Sequence, residues 1–182
     1  SVNRRWNNHI AVLAGDFLFA SAFGLLSRYA ETGIVTLMTD AITQMCQGEL
    51  MQREQAFDPT VSETQYTARV RGKTAALLAA CCEEGARLAG APEPVCEHLR
   101  AFGLNLGLAF QIIDDVLDLE GDEESLGKPT GSDLVQGNLT LPVIRLLERP
   151  HWRQRLAPRI AARQIDAETV NLIKEGARAT GA

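Results

Sequence analysis

The chain has 182 residues, of which 46% are hydrophobic, 23% charged and 5% aromatic. This balance is typical of a globular protein, and we predict a single domain over residues 1–182. The net charge of −5 argues against a nucleic-acid-binding protein, which needs a basic surface for phosphate contacts. It does not exclude a small anionic substrate, because a bound divalent cation can reverse the sign of charge at an acidic site.

Residues 101–113 form the longest run without Asp, Glu, Lys or Arg, and this run is shorter than the ~18 apolar residues that a membrane span needs. The sequence therefore predicts no transmembrane segment. The cysteines lack the Cys-x-x-Cys spacing of zinc or redox sites. We interpret Cys46, Cys81, Cys82 and Cys96 as buried reduced thiols, which predicts a cytoplasmic location.

Helical periodicity runs through most of the chain, and no alternating strand pattern of useful length occurs. It predicts helices over residues 8–30, 34–57, 62–89 and 94–119, the third interrupted at Gly72 and begun by a capping box of Ser62 and Gln65. The glycine-rich stretch 121–138 is predicted as a loop. Thr140 begins a further helix, Pro150 and Pro158 divide the next part of the chain into short pieces, and a weak helix starts near residue 167. The fold class is all-α.

Four polar side chains interrupt the apolar end of the fourth predicted helix: Gln111, Asp114, Asp115 and Asp118. All but Asp115 share one helical face, and Asp115 lies on its flank. Burying these three carboxylates without a cation would cost on the order of several kcal/mol each. Oxygen ligands suit a hard cation, so the pattern predicts a Mg²⁺ site. The alternative is a solvated acidic face, which the apolar neighbours disfavour.

Lys128 supplies the opposite charge soon after these aspartates, in the sequence Leu-Gly-Lys-Pro-Thr-Gly-Ser-Asp-Leu. Glycines free the backbone there, and a lysine offers a compact charge for phosphate. An isolated loop lysine is normally only solvated, so this interpretation depends on the aspartates before it.

Together these segments resemble one family. The aspartates lie in Gly-Leu-Ala-Phe-Gln-Ile-Ile-Asp-Asp-Val-Leu-Asp, which ends at Asp118, and the loop is followed by Gly-Asn-Leu-Thr-Leu-Pro, which ends at Pro142. This block resembles the second aspartate-rich motif, and the loop after it, of the trans-polyprenyl diphosphate synthases. Shorter segments are similar to further motifs of that family in the same order: residues 11–18, Gly48-Glu-Leu-Met-Gln52 and Lys73-Thr-Ala75.

The resemblance implies an isoprenoid-synthase-type helical bundle around a central cavity. It also implies a prenyltransferase enzyme, which condenses isopentenyl diphosphate with an allylic diphosphate to make a longer trans-polyprenyl diphosphate. Mg²⁺ would assist ionisation of the allylic diphosphate, and the protein would form a homodimer or a heterodimer.

The resemblance also implies residue roles. Three carboxylates would hold Mg²⁺ on the allylic diphosphate, the first most directly: Asp114, Asp115 and Asp118. Two lysines would contact that diphosphate as it leaves: Lys73 and Lys128. Two polar side chains would flank the reacting allylic carbon and its cation: Thr74 and Gln111. Without the resemblance, Lys73 reads as an exposed lysine, and Glu49 and Gln52 read as partners of each other on one helix face.

Two departures from the family pattern stand out. The family has two aspartate-rich motifs that face each other, and this sequence contains only the second, without the paired arginines that follow the first. We therefore expect the chain to be truncated at both ends relative to a full synthase and to be inactive alone. In addition, Asn138 stands where many members have a lysine that contacts diphosphate.

Other functions remain open at this point. A non-catalytic partner subunit of a heteromeric synthase would be expected to have eroded aspartates, whereas all three are present here. A class I terpene cyclase shares the metal chemistry but not the Lys73 and Lys128 segments. A helical scaffold with an incidental acidic face is disfavoured by the loop that follows the aspartates.

Overall fold

A computed structural model describes residues 2–121 and 130–182. The elements in these ranges are helical, with no strand among them. In chain order the helices are α1 (Val2–Arg5), α2 (Asn8–Leu26), α3 (Ile34–Glu54), α4 (Glu63–Val70), α5 (Ala76–Leu88), α6 (Glu93–Glu120), α7 (Ser132–Val135), α8 (Leu141–Leu147), α9 (Pro150–Ala161) and α10 (Ala167–Thr180). A 3₁₀ segment (Ser27–Thr32) follows α2, and a π-helical turn (Arg71–Ala75) joins α4 to α5. The predicted all-α fold is confirmed.

Local sequence explains most helix ends. The Ser62 hydroxyl accepts a hydrogen bond from the main-chain N–H of Gln65, and the Gln65 side chain accepts one from the Ser62 N–H, so the predicted capping box is confirmed. The interruption predicted at Gly72 is the π-helical turn. The prediction that Pro158 breaks the chain is wrong, because α9 continues through it to Ala161. Burial of Leu156 and Ile160 on either side stabilises this helix despite the missing N–H.

The core lies in the second half of the chain. α8, α9 and α10 bury their apolar faces against α4 and the end of α6, and several side chains there are fully buried: Tyr66, Leu139, Val143, Ile144, Leu146, Leu147, Leu156, Ile160 and Ile173. Burying each such side chain contributes roughly 1.5–3 kcal/mol. This core supports the helices that carry the predicted site.

Glycines bring three elements unusually close together. A methyl group at Gly107 of α6 would lie 2.5 Å from the Cα of Ala75, and one at Gly48 of α3 would overlap the main-chain nitrogen of Lys73. Only glycine permits backbones to approach so closely. The π-helical turn is therefore packed between α3 and α6, and it presents Lys73 and Thr74 next to both helices.

The amino-terminal part of the chain has a different character. α2 buries none of its side chains, although most are apolar. Helix α2, continued through the next turn to Tyr29, is long and apolar enough to cross a membrane by length and composition. The sequence predicted no such segment, and this criterion does not uphold that prediction. The sequence criterion missed the segment because Asp16 divides the apolar run. A helix that packs against another protein surface passes the same test.

The cysteines differ in their exposure. Cys96 is buried, Cys82 is half-buried, and Cys46 and Cys81 are exposed; all four are free thiols. The prediction of buried thiols therefore holds for Cys96 and is wrong for the exposed pair, because these two residues lie on helix faces that the core does not cover.

Candidate active site

A cavity of about 250 Å³ lies where α3, α4, the π-helical turn and α6 meet. Its lining is mostly polar and includes five of the seven predicted site residues, with the following complete set: Gln52, Tyr66, Arg69, Val70, Lys73, Thr74, Gln111, Asp114, Asp115, Asp133, Asn138 and Thr140. The fold thus gathers Lys73, Thr74 and Gln111 with two of the predicted carboxylates.

Lys73 is held in place by two side chains of α3. Its Nζ donates to Oε1 of Gln52 at 2.8 Å and lies 3.1 Å from Oε2 of Glu49. The reading of Glu49 and Gln52 as partners of each other is therefore wrong, since both contact Lys73. The side chain of Lys73 keeps 37% of its surface exposed, which leaves its charge available to an anion in the cavity.

A chain of hydrogen bonds links the two sides of the cavity. The Thr74 hydroxyl donates to Oε1 of Gln111 at 2.7 Å, and Nε2 of Gln111 donates to Oδ1 of Asp115 at 2.9 Å. The Tyr66 hydroxyl donates to Oδ2 of Asp115 at 2.6 Å. These bonds fix the orientation of the Gln111 amide, with its oxygen toward Thr74.

Burial governs the charge states of this chain of groups. Burial raises the pKa of Asp115, and the hydrogen bonds from Tyr66 and Gln111 oppose that rise by favouring the carboxylate. Burial and the bond to Asp115 raise the pKa of Tyr66, so the phenol remains protonated and continues to donate. The Asp115 carboxylate is thus held by neutral donors.

The oxygen ligands in the cavity suit a magnesium ion. Asp114 is exposed at the cavity, and Asp115 lies beside it in the wall. Across residues 2–121 and 130–182, no group of three His, Cys, Asp or Glu side chains is already placed to hold a metal ion. Mg²⁺ usually takes only one or two carboxylates, with waters and substrate phosphates completing its octahedron. The exposed carboxylate of Asp114 therefore fits that ion, whereas both oxygens of Asp115 already accept hydrogen bonds.

Asp118 occupies a different position from the other two predicted ligands. It is 2% exposed, lies outside the cavity lining, and accepts hydrogen bonds from the Ser132 hydroxyl at 2.6 Å and from the Asp133 N–H at 3.1 Å. Its main-chain oxygen accepts the N–H of Gly131 at 2.6 Å. This geometry favours a role in joining α6 to residues 131–133, and metal binding by Asp118 stays a prediction. Lys128 lies outside the described residues.

The sequence analysis did not single out three of the polar side chains in the cavity: Tyr66, Arg69 and Asp133. Tyr66 and Arg69 stand seven and four positions before Lys73, a helical spacing that places all three on one face. Asp133 belongs to the loop sequence that carries Lys128. The helical spacing was therefore a usable signal for two of the three.

Solved structures that superpose on this chain include prenyl synthases. The heptaprenyl diphosphate synthase from Staphylococcus aureus superposes with a TM-score of 0.89 at 30% identity, covering 98% of this chain and 56% of the other. A polyprenyl synthase from Caulobacter crescentus CB15, complexed with calcium and isoprenyl diphosphate, gives a TM-score of 0.92 at 35% identity, covering 98% and 55%. The fold is therefore that of the isoprenoid synthases.

The sequence leads to the same family. A family model described as polyprenyl synthetase matches residues 1–175. Heptaprenyl diphosphate synthase component 2 of Geobacillus stearothermophilus is 42% identical over 147 residues, which are 81% of this chain and 46% of the relative. A prenyl transferase of Synechocystis sp. is 38% identical over 97% of this chain and 55% of the relative. The chain belongs to the polyprenyl synthetase family, and it spans about half the length of the relatives that it matches.

Proposed function

We propose that the protein is a prenyl transferase that joins isopentenyl diphosphate to an allylic diphosphate. In this reaction the allylic C–O bond breaks, diphosphate leaves, a C–C bond forms to the isopentenyl unit and one proton is released. The observation that carries the proposal is the convergence of Lys73, Thr74 and Gln111 with Asp114 and Asp115 around one cavity. The names of the prenyl transferase and diphosphate synthase relatives support it.

Each group in the cavity has a chemical task in that reaction. Asp114, with Asp115 beside it, would hold Mg²⁺, which supplies positive charge to the departing diphosphate when bound. Lys73 adds a second positive charge, positioned by Gln52 and Glu49. The Thr74 and Gln111 oxygens present the negative ends of their dipoles, which stabilise positive charge on the allylic carbon.

Product formation tests this proposal directly. The full-length protein is incubated with isopentenyl diphosphate, Mg²⁺ and allylic diphosphates of several lengths, and products are identified by mass spectrometry. We expect longer prenyl diphosphates, loss of turnover with EDTA, and a kcat/KM lower by about 100-fold or more for Asp114→Ala. The matched control, Asp40→Ala, removes an exposed carboxylate of α3 outside this cavity and should keep full turnover. Turnover that resists both EDTA and Asp114→Ala would refute the proposal.

We propose further that the protein acts as a dimer, either with a second copy or with a second component. Two relatives are named component 2 of a heptaprenyl diphosphate synthase, a name that describes those proteins as one part of an assembly. The exposed apolar residues of α2 are suited to such a contact. If the partner is a second copy, light scattering after size exclusion should give a mass of two chains, and Phe17→Asp in α2 should reduce it to one; if the partner is a second component, the protein alone should give a mass of one chain. A cytoplasmic location is also proposed, to be tested by cell fractionation.

A further inference from the structure

Arg69 is a buried cation in the wall of the cavity. It lies in α4, one helical turn before Lys73, and only 4% of its surface is exposed. Its Nη2 donates to the main-chain oxygen of Leu139 at 2.7 Å, and its Nη1 donates to Oε1 of Gln55 at 3.1 Å. Both acceptors are neutral, so neither balances the charge of the guanidinium.

The guanidinium has capacity for an additional ligand. It carries five N–H donors, and the bonds to Leu139 and Gln55 use two of them. The Tyr66 ring lies 5.4 Å from its central carbon and stabilises the charge from one side. Asp115 and Asp133 attract it at longer range. A buried charge that is balanced so weakly is costly unless an anion completes its surroundings.

Asn138 lies near this guanidinium in the fold, although it is distant from Arg69 in sequence. It precedes Leu139, which accepts the Arg69 hydrogen bond, and it lines the same cavity. Its amide nitrogen donates weakly to Oδ1 of Asp133 at 3.4 Å, and it carries no charge. At position 138 the cavity therefore has a neutral amide, where a lysine would add positive charge. The positive charge near that position is the guanidinium of Arg69.

We propose that Arg69 binds the substrate diphosphate and supplies the positive charge that Asn138 does not. This inference rests on the proposed prenyl transferase function and adds a binding residue to it. Arg69 and Lys73 both line the cavity, so they offer two cations to one anion. The planar fork of arginine binds two phosphate oxygens at once, whereas lysine acts as a point charge.

The test moves the positive charge from position 69 to position 138. Inorganic pyrophosphate is titrated into the full-length protein in the presence of Mg²⁺ by isothermal calorimetry. Arg69→Met keeps the side-chain stem, removes the charge and should weaken pyrophosphate binding by roughly 10-fold or more, since hydrogen bonds to charged groups are the strong class. The double variant Arg69→Met with Asn138→Lys should restore binding to within about 3-fold of the original.

Two comparisons separate this role from a purely structural one. Arg71→Met removes an arginine two residues away that lines a separate cleft with Glu63 and Thr67, and it should bind pyrophosphate normally. If Arg69 only stabilised the fold, Arg69→Met would lower the melting temperature, and Asn138→Lys would not restore pyrophosphate binding.

The outcomes are distinguishable. Normal binding by Arg69→Met, or weak binding that Asn138→Lys leaves unchanged, overturns the inference while the prenyl transferase proposal stands. Failure of the unaltered protein to bind pyrophosphate with Mg²⁺ overturns both.

Discussion

The two ends of this chain use similar apolar side chains for opposite purposes. In α8–α10, leucines and isoleucines such as Leu146 and Ile173 are fully buried in one core. In α2, Phe17 and Leu18 are 71% and 68% exposed. The first region is stable through contacts within the chain, and it anchors the end of α6 that carries the aspartates.

The difference shows that hydrophobicity in the sequence does not identify which surface covers a helix. α2 is as apolar as a core helix, yet the described part of the chain places no layer over it. The cavity, by contrast, depends on the carboxy-terminal core and on the close approach of α3, the π-helical turn and α6. We therefore expect mutations to separate the two regions by their effects on stability.

The largest expected effect is in the core. Leu146→Ala should lower the free energy of unfolding by about 2–5 kcal/mol, because it leaves a cavity among fully buried neighbours. Leu18→Ala, in α2, should change it by less than about 0.5 kcal/mol where the chain is monomeric. Urea unfolding monitored by circular dichroism measures both. An equal loss for Leu18→Ala would show that α2 is packed in solution and would remove the contrast.

A smaller effect is expected where α3 meets the π-helical turn. Gly48→Ala should cost about 1–3 kcal/mol and displace Lys73, since the added methyl group meets main-chain atoms of that turn. Gly85→Ala is the matched control, because its methyl group meets nothing within 4 Å and a helical alanine is favoured by roughly 0.5–1 kcal/mol. The melting temperature and the turnover rate should both fall for Gly48→Ala, and neither should fall for Gly85→Ala. Unchanged turnover would mean that the Gly48 contact does not position Lys73.

The smallest effect concerns Glu84, which has a buried carboxylate oxygen without a hydrogen-bond partner among the described residues. Burial, and then the charge of Glu83, raise the pKa of Glu84 above its unfolded value. At neutral pH the charged Glu84 carboxylate therefore lowers the free energy of unfolding. This loss disappears as the pH falls from the raised pKa of the folded state to the lower pKa of the unfolded chain. Glu84→Gln should be more stable at pH 7 by about 1 kcal/mol, and the advantage should shrink on acidification. Glu175→Gln, at an exposed position of α10, serves as the control; an advantage independent of pH would disprove the explanation.

Local patterns predicted much of the fold and part of the site. Helical periodicity, the Ser62–Gln65 capping box and the break at Gly72 are properties of neighbouring residues, and each is confirmed. Helical spacing placed Gln111 and Asp114 together, but it grouped them with Asp118 and set Asp115 on the flank, whereas the cavity contains Asp115 and not Asp118. The meeting of these side chains with Lys73 and Thr74 was implied by the family resemblance, which carries information about the tertiary fold.

Contacts between distant segments explain what sequence reasoning missed. The bonds from Asp118 to Ser132 and Asp133 join two elements, and helical spacing placed Asp118 with the other aspartates without showing this. Arg69 reads as an ordinary helix arginine until the fold brings Leu139 to it. Pro158 is tolerated in α9 because the core holds the flanking residues, an effect of packing that overrides local propensity.

Whether this cavity is the diphosphate site is tested most directly by the binding of a non-hydrolysable allylic diphosphate analogue, measured by calorimetry with and without Mg²⁺. We expect tight binding that requires Mg²⁺, is lost in Asp114→Ala, and is retained in the control Asp40→Ala. Binding that persists in Asp114→Ala, or that is indifferent to Mg²⁺, would contradict the assignment of this cavity as the diphosphate site.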